Sequence, residues 1–543
     1  MKQTLIFGNI ITMDEKRPFA KAALVKNGVL AYIGSAEKAK KLAGKDAKVM
    51  DYGDNYIYPG FIDGHAHGCF AGYRAIGQAN LAQAGLATDY PKYREIIKDF
   101  IAKNPQRQIY LAAGWVKNEE PITKEYLDEI CPDKPLIMNT GDAHSCLLNT
   151  KALEWAGVDA EFAKKHGYDL VYVDENGEPT GFICEGPAFA IINKVPVTVD
   201  EAKTYILAWQ DFAFSNGLTA TAFAGDDLRF PEAEAYYQLE QEGKLKLRTY
   251  ANVIISDNPD DPKAEIANVA AIRARYANEY YNIIGAKVLL DGVVEAHTGW
   301  LLDDYKDQPG YHGVERYNDH DKMVDLIVAA DKEGLSVHAH SVGNGATHFM
   351  LDCIEDAEKI TGDMDQRNIL AHLQYVTDED VRRLGATRSV AAVPPLWTAK
   401  MSGTYDMEVA YAGKEWADRA YPIKSFFDAD ANVVFHSDYP VSPIMDIKLS
   451  IYMAEKRAVP KFFMDGDTQR NIKEAITREQ SLRAMTINVA RQFHQEHRMG
   501  SIEFGKLANM TVYDCDFLHD DAEKIVQGTL IATIVDGEEV YKA

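Results

Sequence analysis

The sequence predicts a (β/α)8, TIM-like barrel joined to a small β-sandwich domain built from both chain termini, with an insertion over the barrel mouth. Three observations lead there. Short apolar strands alternate with helical stretches through the middle of the chain, strand-and-turn patterns recur at both ends, and metal-ligating residue types stand at the ends of several middle strands.

Near the start, residues 4–12 are rich in β-branched side chains, Asn27-Gly28 is a hairpin signal with 29–34 as the returning strand, and 49–58 ends at Pro59-Gly60. Near the far end, 510–514 and 530–535 read as strands, followed by an Asp536-Gly537 turn and a last strand at 539–541. Chain ends often lie close together, so 1–58 and 491–543 are expected to form the β-sandwich, with the barrel spanning 59–490.

Candidate barrel strands are 61–63, 109–113, 220–224, 248–254, 284–290, 336–339, 369–371, 389–393 and 433–435. Helical stretches cover 198–215, 231–241, 261–276, 321–333, 345–360 and 477–490. This alternation implies parallel strands, and with no dinucleotide fingerprint a closed barrel is favoured over an open sheet. Residues 115–196 are too many for a simple connection and read as the insertion.

The bulk numbers narrow the function. The 543 residues are 46% hydrophobic and 26% charged, the profile of a folded globular chain. A net charge of −24 argues against nucleic acid, whose phosphates such a surface repels. Six scattered cysteines without a CxxC pair read as reduced thiols. The first residues lack a basic, then apolar, leader, and no run of about 18 apolar residues exists to span a membrane. A cytoplasmic protein acting on a small molecule is the expectation.

The strongest local signal is Pro59-Gly-Phe-Ile-Asp-Gly-His65-Ala-His67. Side chains two apart on a strand share a face, so both histidines can reach one ion. Lys287, His340, His372 and Asp438 then follow, each at or near the C-terminal end of a candidate strand, where barrel active sites assemble. Each alone has an ordinary structural explanation; their arrival in order on such strands does not. Trp115, Trp300, Tyr375, Trp397 and Tyr439 also fall beyond strand ends, where they line a pocket or pack the insertion. His338 and His436, two residues before proposed ligands, are expected as their partners.

The order His-x-His, Lys, His, His, Asp resembles the binuclear pattern of the amidohydrolase superfamily, and the chain is similar to its YtcJ-like (amidohydrolase-3) branch. The segments Asp142-Ala-His144-Ser-Cys-Leu-Leu-Asn149, Gly177-Glu-Pro-Thr-Gly181-Phe-Ile-Cys-Glu185 and Gly500-Ser-Ile-Glu-Phe-Gly-Lys-Leu-Ala508 carry that likeness, which covers nearly the whole chain. The chain departs from the pattern at Ala371, at His340-Ser-Val-Gly343-Asn344 and at His297-Thr298, all of which concern substrate contacts.

The resemblance implies a hydrolase that cleaves a C–N bond of a small-molecule amide (N-acyl, N-formyl or cyclic) with a metal-activated hydroxide. It implies one or two divalent ions, Zn²⁺ first, held by His65, His67, His340, His372 and Asp438, with a carboxylated Lys287 as bridge and Glu185 as the alternative bridging ligand. Asp438 is then the general base and acid, His144 polarises the carbonyl, and Trp115, Asp291 and His297 contact substrate. A homodimer is implied as well. The competing expectations are a mononuclear deaminase on the same barrel, and a noncatalytic metal-binding or regulatory barrel protein.

Overall fold

The computed structural model describes residues 2–85, 89–116, 122–141, 145–225, 231–362, 365–401 and 403–543. The chain forms two compact units. One holds Met1–Gly68, Gln210–Asp226 and Tyr236–Ala543; the other holds Cys69–Trp209 and Asp227–Ala235.

In the first unit lies a barrel of eight parallel strands: β1 (Phe61–Ala66), β2 (Leu218–Phe223), β3 (Arg248–Ile254), β4 (Tyr281–Leu289), β5 (Ser336–Ser341), β6 (Ile369–His372), β7 (Val390–Val393) and β8 (Asn432–Phe435). They neighbour one another in chain order. The segment just past β8 draws the ring together: the Asp438 N–H donates to the His65 carbonyl at 3.1 Å, and the His67 N–H to the Tyr439 carbonyl at 2.9 Å. Gly64 permits that approach, because a Cβ there would stand 2.8 Å from the Phe435 carbonyl oxygen. Tyr250 stacks on Phe493 at 4.2 Å, in a core that Ile62, Ala222, Ala392 and Val434 share with Val489 and Ala490.

The helices between strands obey local rules. His320–Glu333 starts where the Asp319 side chain accepts from the Lys322 N–H, and it ends at Gly334, whose φ of 62° suits glycine. Its buried stripe includes Met323, Leu326, Ile327 and Ala330. The stretch read as one helix over 477–490 is two, Arg478–Ala484 and Ile487–Gln492, the first opened by a Thr477/Gln480 capping box.

Both chain ends meet in one sheet. Met510–Tyr513 pairs antiparallel with the end of Lys48–Pro59, which itself runs parallel to Gln3–Ile11. The seven strands form a single hydrogen-bonded sheet, where a sandwich implies two separate ones. Its two faces bury different cores: Ile6, Ala23 and Val25 pack with Met510, Val512 and Ile534, while Leu5, Ala22 and Leu24 pack with Ala39 of the helix Ala36–Leu42. The two expected hairpin turns are present, with positive φ at Asn27 and Gly28 and at Asp536 and Gly537.

The second unit is longer than the expected insertion and has its own six-stranded sheet. The candidate barrel strand at 109–113 belongs there, as Tyr110–Trp115 between Ala79–Asn80 and Leu136–Thr140. An apolar run signals a buried strand without saying which sheet it joins. All six cysteines are free thiols. No helix among the described residues is long and apolar enough to cross a membrane.

Candidate metal centre

Strand alternation puts His65 and His67 on one face of the chain leaving β1, and the close approach of β8 brings Asp438 to them. His65 Nε2 lies 3.1 Å, and His67 Nε2 3.4 Å, from Asp438 Oδ1. One ligand atom from each of the three falls within 4.8 Å of the others, and among the described residues this is the group of ligand side chains able to hold one ion. Asp63, in the same motif, ties the two strand ends together. Its carboxylate accepts from the His65 N–H at 3.0 Å, from the Ser437 N–H at 3.1 Å and from the Ser437 hydroxyl. Burial pushes its pKa up to about 6. Asp438 itself sits in the left-handed region at φ 56°, as does His372 at φ 82°, and such conformations in non-glycine residues concentrate at functional sites.

The other predicted ligands from the barrel gather around this group. The His372 ring lies 4.6 Å from that of His340 and 5.0 Å from that of His65. Trp397 stacks nearly parallel on His372 at 5.5 Å, its indole N–H held by the Ser442 hydroxyl at 2.8 Å. His436 lies 4.9 Å from His65 and 5.1 Å from His372, with both ring nitrogens buried and lacking a hydrogen-bond partner. Lys287 is buried on β4, and its Nζ has no partner either.

Electrostatics prepares the set to receive a cation. Burial first, and then the Lys287 charge, hold His65 and His338 well below the ordinary histidine pKa. Burial and the nearby His340 do the same for His372, and burial brings His436 down to about 4. These imidazoles are neutral at pH 7, the form that binds metal. Burial opposes charge on Asp438, yet the hydrogen bond from His67 and the neighbouring His372 hold its carboxyl below the usual range. Burial lowers Lys287 to about 7, against the pull of Asp438 and Asp291. Neutral imidazoles, an ionised carboxylate and an orphaned buried amine fit a divalent-cation site.

The remaining predicted residues have other contacts. Asp291 is fully engaged inside the barrel: it accepts from His340 Nδ1 at 2.9 Å and from the backbone N–H groups of Val342, Gly343 and Trp300. It therefore orients His340, a role its sequence context did not reveal. His297, partly exposed, holds Asp307 at 2.8 Å and lies against Tyr411 with ring centroids 3.9 Å apart. Trp115 is buried in the second unit's core, edge-on to Phe182. Glu185 is exposed at the start of the helix Glu185–Ile192 in that unit. His144 lies outside the described residues. Sequence reasoning missed Asn252, which lies 3.1 Å from His338, while His338 lies 2.8 Å from His65. Nothing local to Asn252 signals it.

A parallel eight-stranded barrel with a candidate cation site at the C-terminal ends of its strands defines the class. The comparisons then place the chain within that class: it belongs to the Amidohydrolase family, whose sequence pattern matches residues 48–541, and is a YtcJ-like member of it. It is 25% identical to YtcJ of Bacillus subtilis over 98% of both chains. It is 24% identical to the N-substituted formamide deformylase of Arthrobacter pascens, over 99% of this chain and 98% of that one. The Arabidopsis thaliana protein LONG AFTER FAR-RED 3 is 26% identical over 98% of this chain and 90% of its own. Among solved structures, an uncharacterized metal-dependent hydrolase from Pyrococcus furiosus shares the fold, with a TM-score of 0.77 and 23% identity over 95% of this chain and 100% of that one.

Proposed function

We propose that this chain is a metal-dependent hydrolase that cleaves a C–N bond in a small-molecule amide, with N-formyl and N-acyl amines as the first substrates to test. The observation that carries the reading is the convergence of His65, His67 and Asp438 beside a buried, partnerless Lys287. Whole-length similarity to a protein named as an N-substituted formamide deformylase supports the substrate class.

In this reading His65, His67 and Asp438 would hold one Zn²⁺ or similar ion, and His340 and His372 would hold a second. Lys287, once its neutral amine has added CO₂ and lost a proton, would be a carbamate ligand shared with that set. Bound divalent cations supply Lewis acidity and bring the pKa of water towards neutrality, making hydroxide available. Asp438, held ionised, accepts the proton of the attacking water and returns it to the departing amine. Asp291 fixes the ring of His340 through Nδ1, leaving Nε2 free to ligate. Trp397, stacked on His372, forms an apolar wall for the substrate.

A single-ion site is the second reading, suggested because among the described residues His65, His67 and Asp438 are the group that converges on one point. Elemental analysis of the purified chain separates the two. About two equivalents of metal, falling in both Lys287→Ala and His65→Ala, support the binuclear hydrolase. About one equivalent, unmoved by Lys287→Ala, favours the mononuclear site. No metal after reconstitution with Zn²⁺ or Mn²⁺ and bicarbonate rules out the proposal.

A further inference from the structure

The second unit holds a cleft of about 870 Å³, lined wholly by residues from 73 to 205 of that unit. That is the size of a small-molecule site, and none of the candidate metal ligands takes part in it. It is bounded by the edge strand Ala79–Asn80, by the end of the helix Tyr90–Lys103 with the turn after it, and by the start of the helix Val199–Ser215. Arg107 ties these parts together. Its guanidinium packs over the rings of Phe100 and Tyr205, 5.5 and 5.9 Å from their centroids. It also donates to the Gly77 carbonyl at 3.0 Å and to the Tyr205 hydroxyl at 2.9 Å.

Two features of the lining select a ligand. The first is that its charges are already matched. Lys103 lies 2.7 Å from Asp99, Arg107 lies 3.5 Å from Glu201, and Asp200 faces Lys203 at 3.6 Å. Three acids against two bases in the lining give a phosphate or carboxylate nothing to gain there. The second is the run of six carboxamides, Gln78, Asn80, Gln83, Asn104, Gln106 and Gln108. A carboxamide donates and accepts without carrying charge, which is the complement of a hydroxyl.

Local bonds hold three of these amides in place. Asn80 Oδ1 accepts from the Ala82 N–H at 3.1 Å, Asn104 Nδ2 donates to the Phe100 carbonyl at 2.8 Å, and Gln108 Nε2 donates to the Gln106 carbonyl at 3.2 Å. Each bond leaves the opposite end of its amide to a ligand. Gln78 is only 9% exposed, lines the cleft, and makes no side-chain hydrogen bond with any described residue. A carboxamide so shielded from bulk water needs a partner, and the cleft is where one can enter. Ile76, exposed at the rim, and Phe100 add apolar surface.

We propose that this cleft binds a neutral oligosaccharide, whose hydroxyls pair with the carboxamides and whose C–H faces rest on Ile76 and Phe100. An extended peptide is also neutral and polar, but it would dock by adding to the sheet edge. An edge strand of two residues offers too short a ladder for that.

The test titrates the full-length chain with maltotriose, cellotriose and tri-N-acetylchitotriose by isothermal titration calorimetry. N-acetyl-trialanine amide and inorganic phosphate stand for the competing chemistries. Saturable binding of at least one trisaccharide is expected, with neither competitor bound. Gln78→Leu keeps the bulk and removes the amide, and should weaken that binding about tenfold, the effect of one hydrogen bond lost in a shielded place. The double variant Gln106→Ala with Gln108→Ala alters exposed positions and should weaken binding by a smaller factor. It decides if Gln78→Leu does not fold, as judged by circular dichroism. No binding of any trisaccharide, binding of the peptide or phosphate in their place, or trisaccharide binding that the variants leave unchanged overturns the proposal.

Discussion

Two places in the barrel unit bury charge, and they treat it in opposite ways. Arg457 and Arg470 are almost wholly buried. Arg457 donates to the carbonyls of Ala420, Tyr421 and Arg470 at 2.8, 3.0 and 3.3 Å. Arg470 Nη2 donates to Glu408 Oε1 at 3.1 Å, and Nη1 lies 3.1 Å from Oε2 as an ion pair, while Arg470 Nε and Nη1 make no hydrogen bond. Lys287, equally buried, has no partner at Nζ, and beside it His436 and His372 also hold buried nitrogens without one. Burying an ion costs several kcal/mol unless it is paired and hydrogen-bonded. The arginine cluster offsets that cost with backbone carbonyls and an opposite charge, and ties segments together. The lysine leaves it standing, and the neutral histidines beside it keep buried nitrogens unpaired, as side chains kept for a ligand do.

The comparison can be broken at either place. The largest expected effect is at the candidate metal centre: Asp438→Asn should lower kcat/KM on an N-formyl or N-acyl amine by about 10²–10⁴-fold, the range for loss of a positioned general base. A smaller loss, in a variant that keeps its metal, would remove Asp438 from that role. At the arginine cluster, Glu408→Ala strands Arg470 and should cost about 3–5 kcal/mol in denaturant unfolding. Metal content should not change; if it does, the two clusters are one system and the contrast fails.

Two smaller effects sharpen the distinction. Asp291→Ala removes the acceptor that orients His340 and should weaken metal binding about 10–100-fold, measured by competition with a chelator. Lys287→Met should do something that Glu408→Ala cannot, stabilising the metal-free chain by about 1–3 kcal/mol while lowering its metal content. A metal-free Lys287→Met chain that melts below the wild type would mean that Lys287 has a structural partner after all.

How much could be read in advance follows from how local each signal is. All eight barrel strands were legible as apolar runs, in the sense that β1 to β8 each overlap a candidate segment; the spurious candidate at 109–113 has the same local character and differs only in the sheet it joins. Hairpins at Asn27-Gly28 and Asp536-Gly537 were legible because positive φ is a property of one or two residues. Asp291 looked like a pocket residue because its partners His340, Val342 and Gly343 lie 49 to 52 positions away. Asn252 had no sequence signal, since its meaning depends on β2 and β5 flanking the same interior.

Sequence by itself determined the kinds of candidate ligand and their order, because two-residue alternation and the polarity of strand ends are local rules that His65, His67, His340, His372 and Asp438 obey. Only the tertiary structure decided what each ring's second nitrogen touches and which buried charges go unpaired. Those depend on β8 approaching β1 and on β3, β4 and β5 lining one interior, contacts between residues tens to hundreds of positions apart that no local pattern encodes.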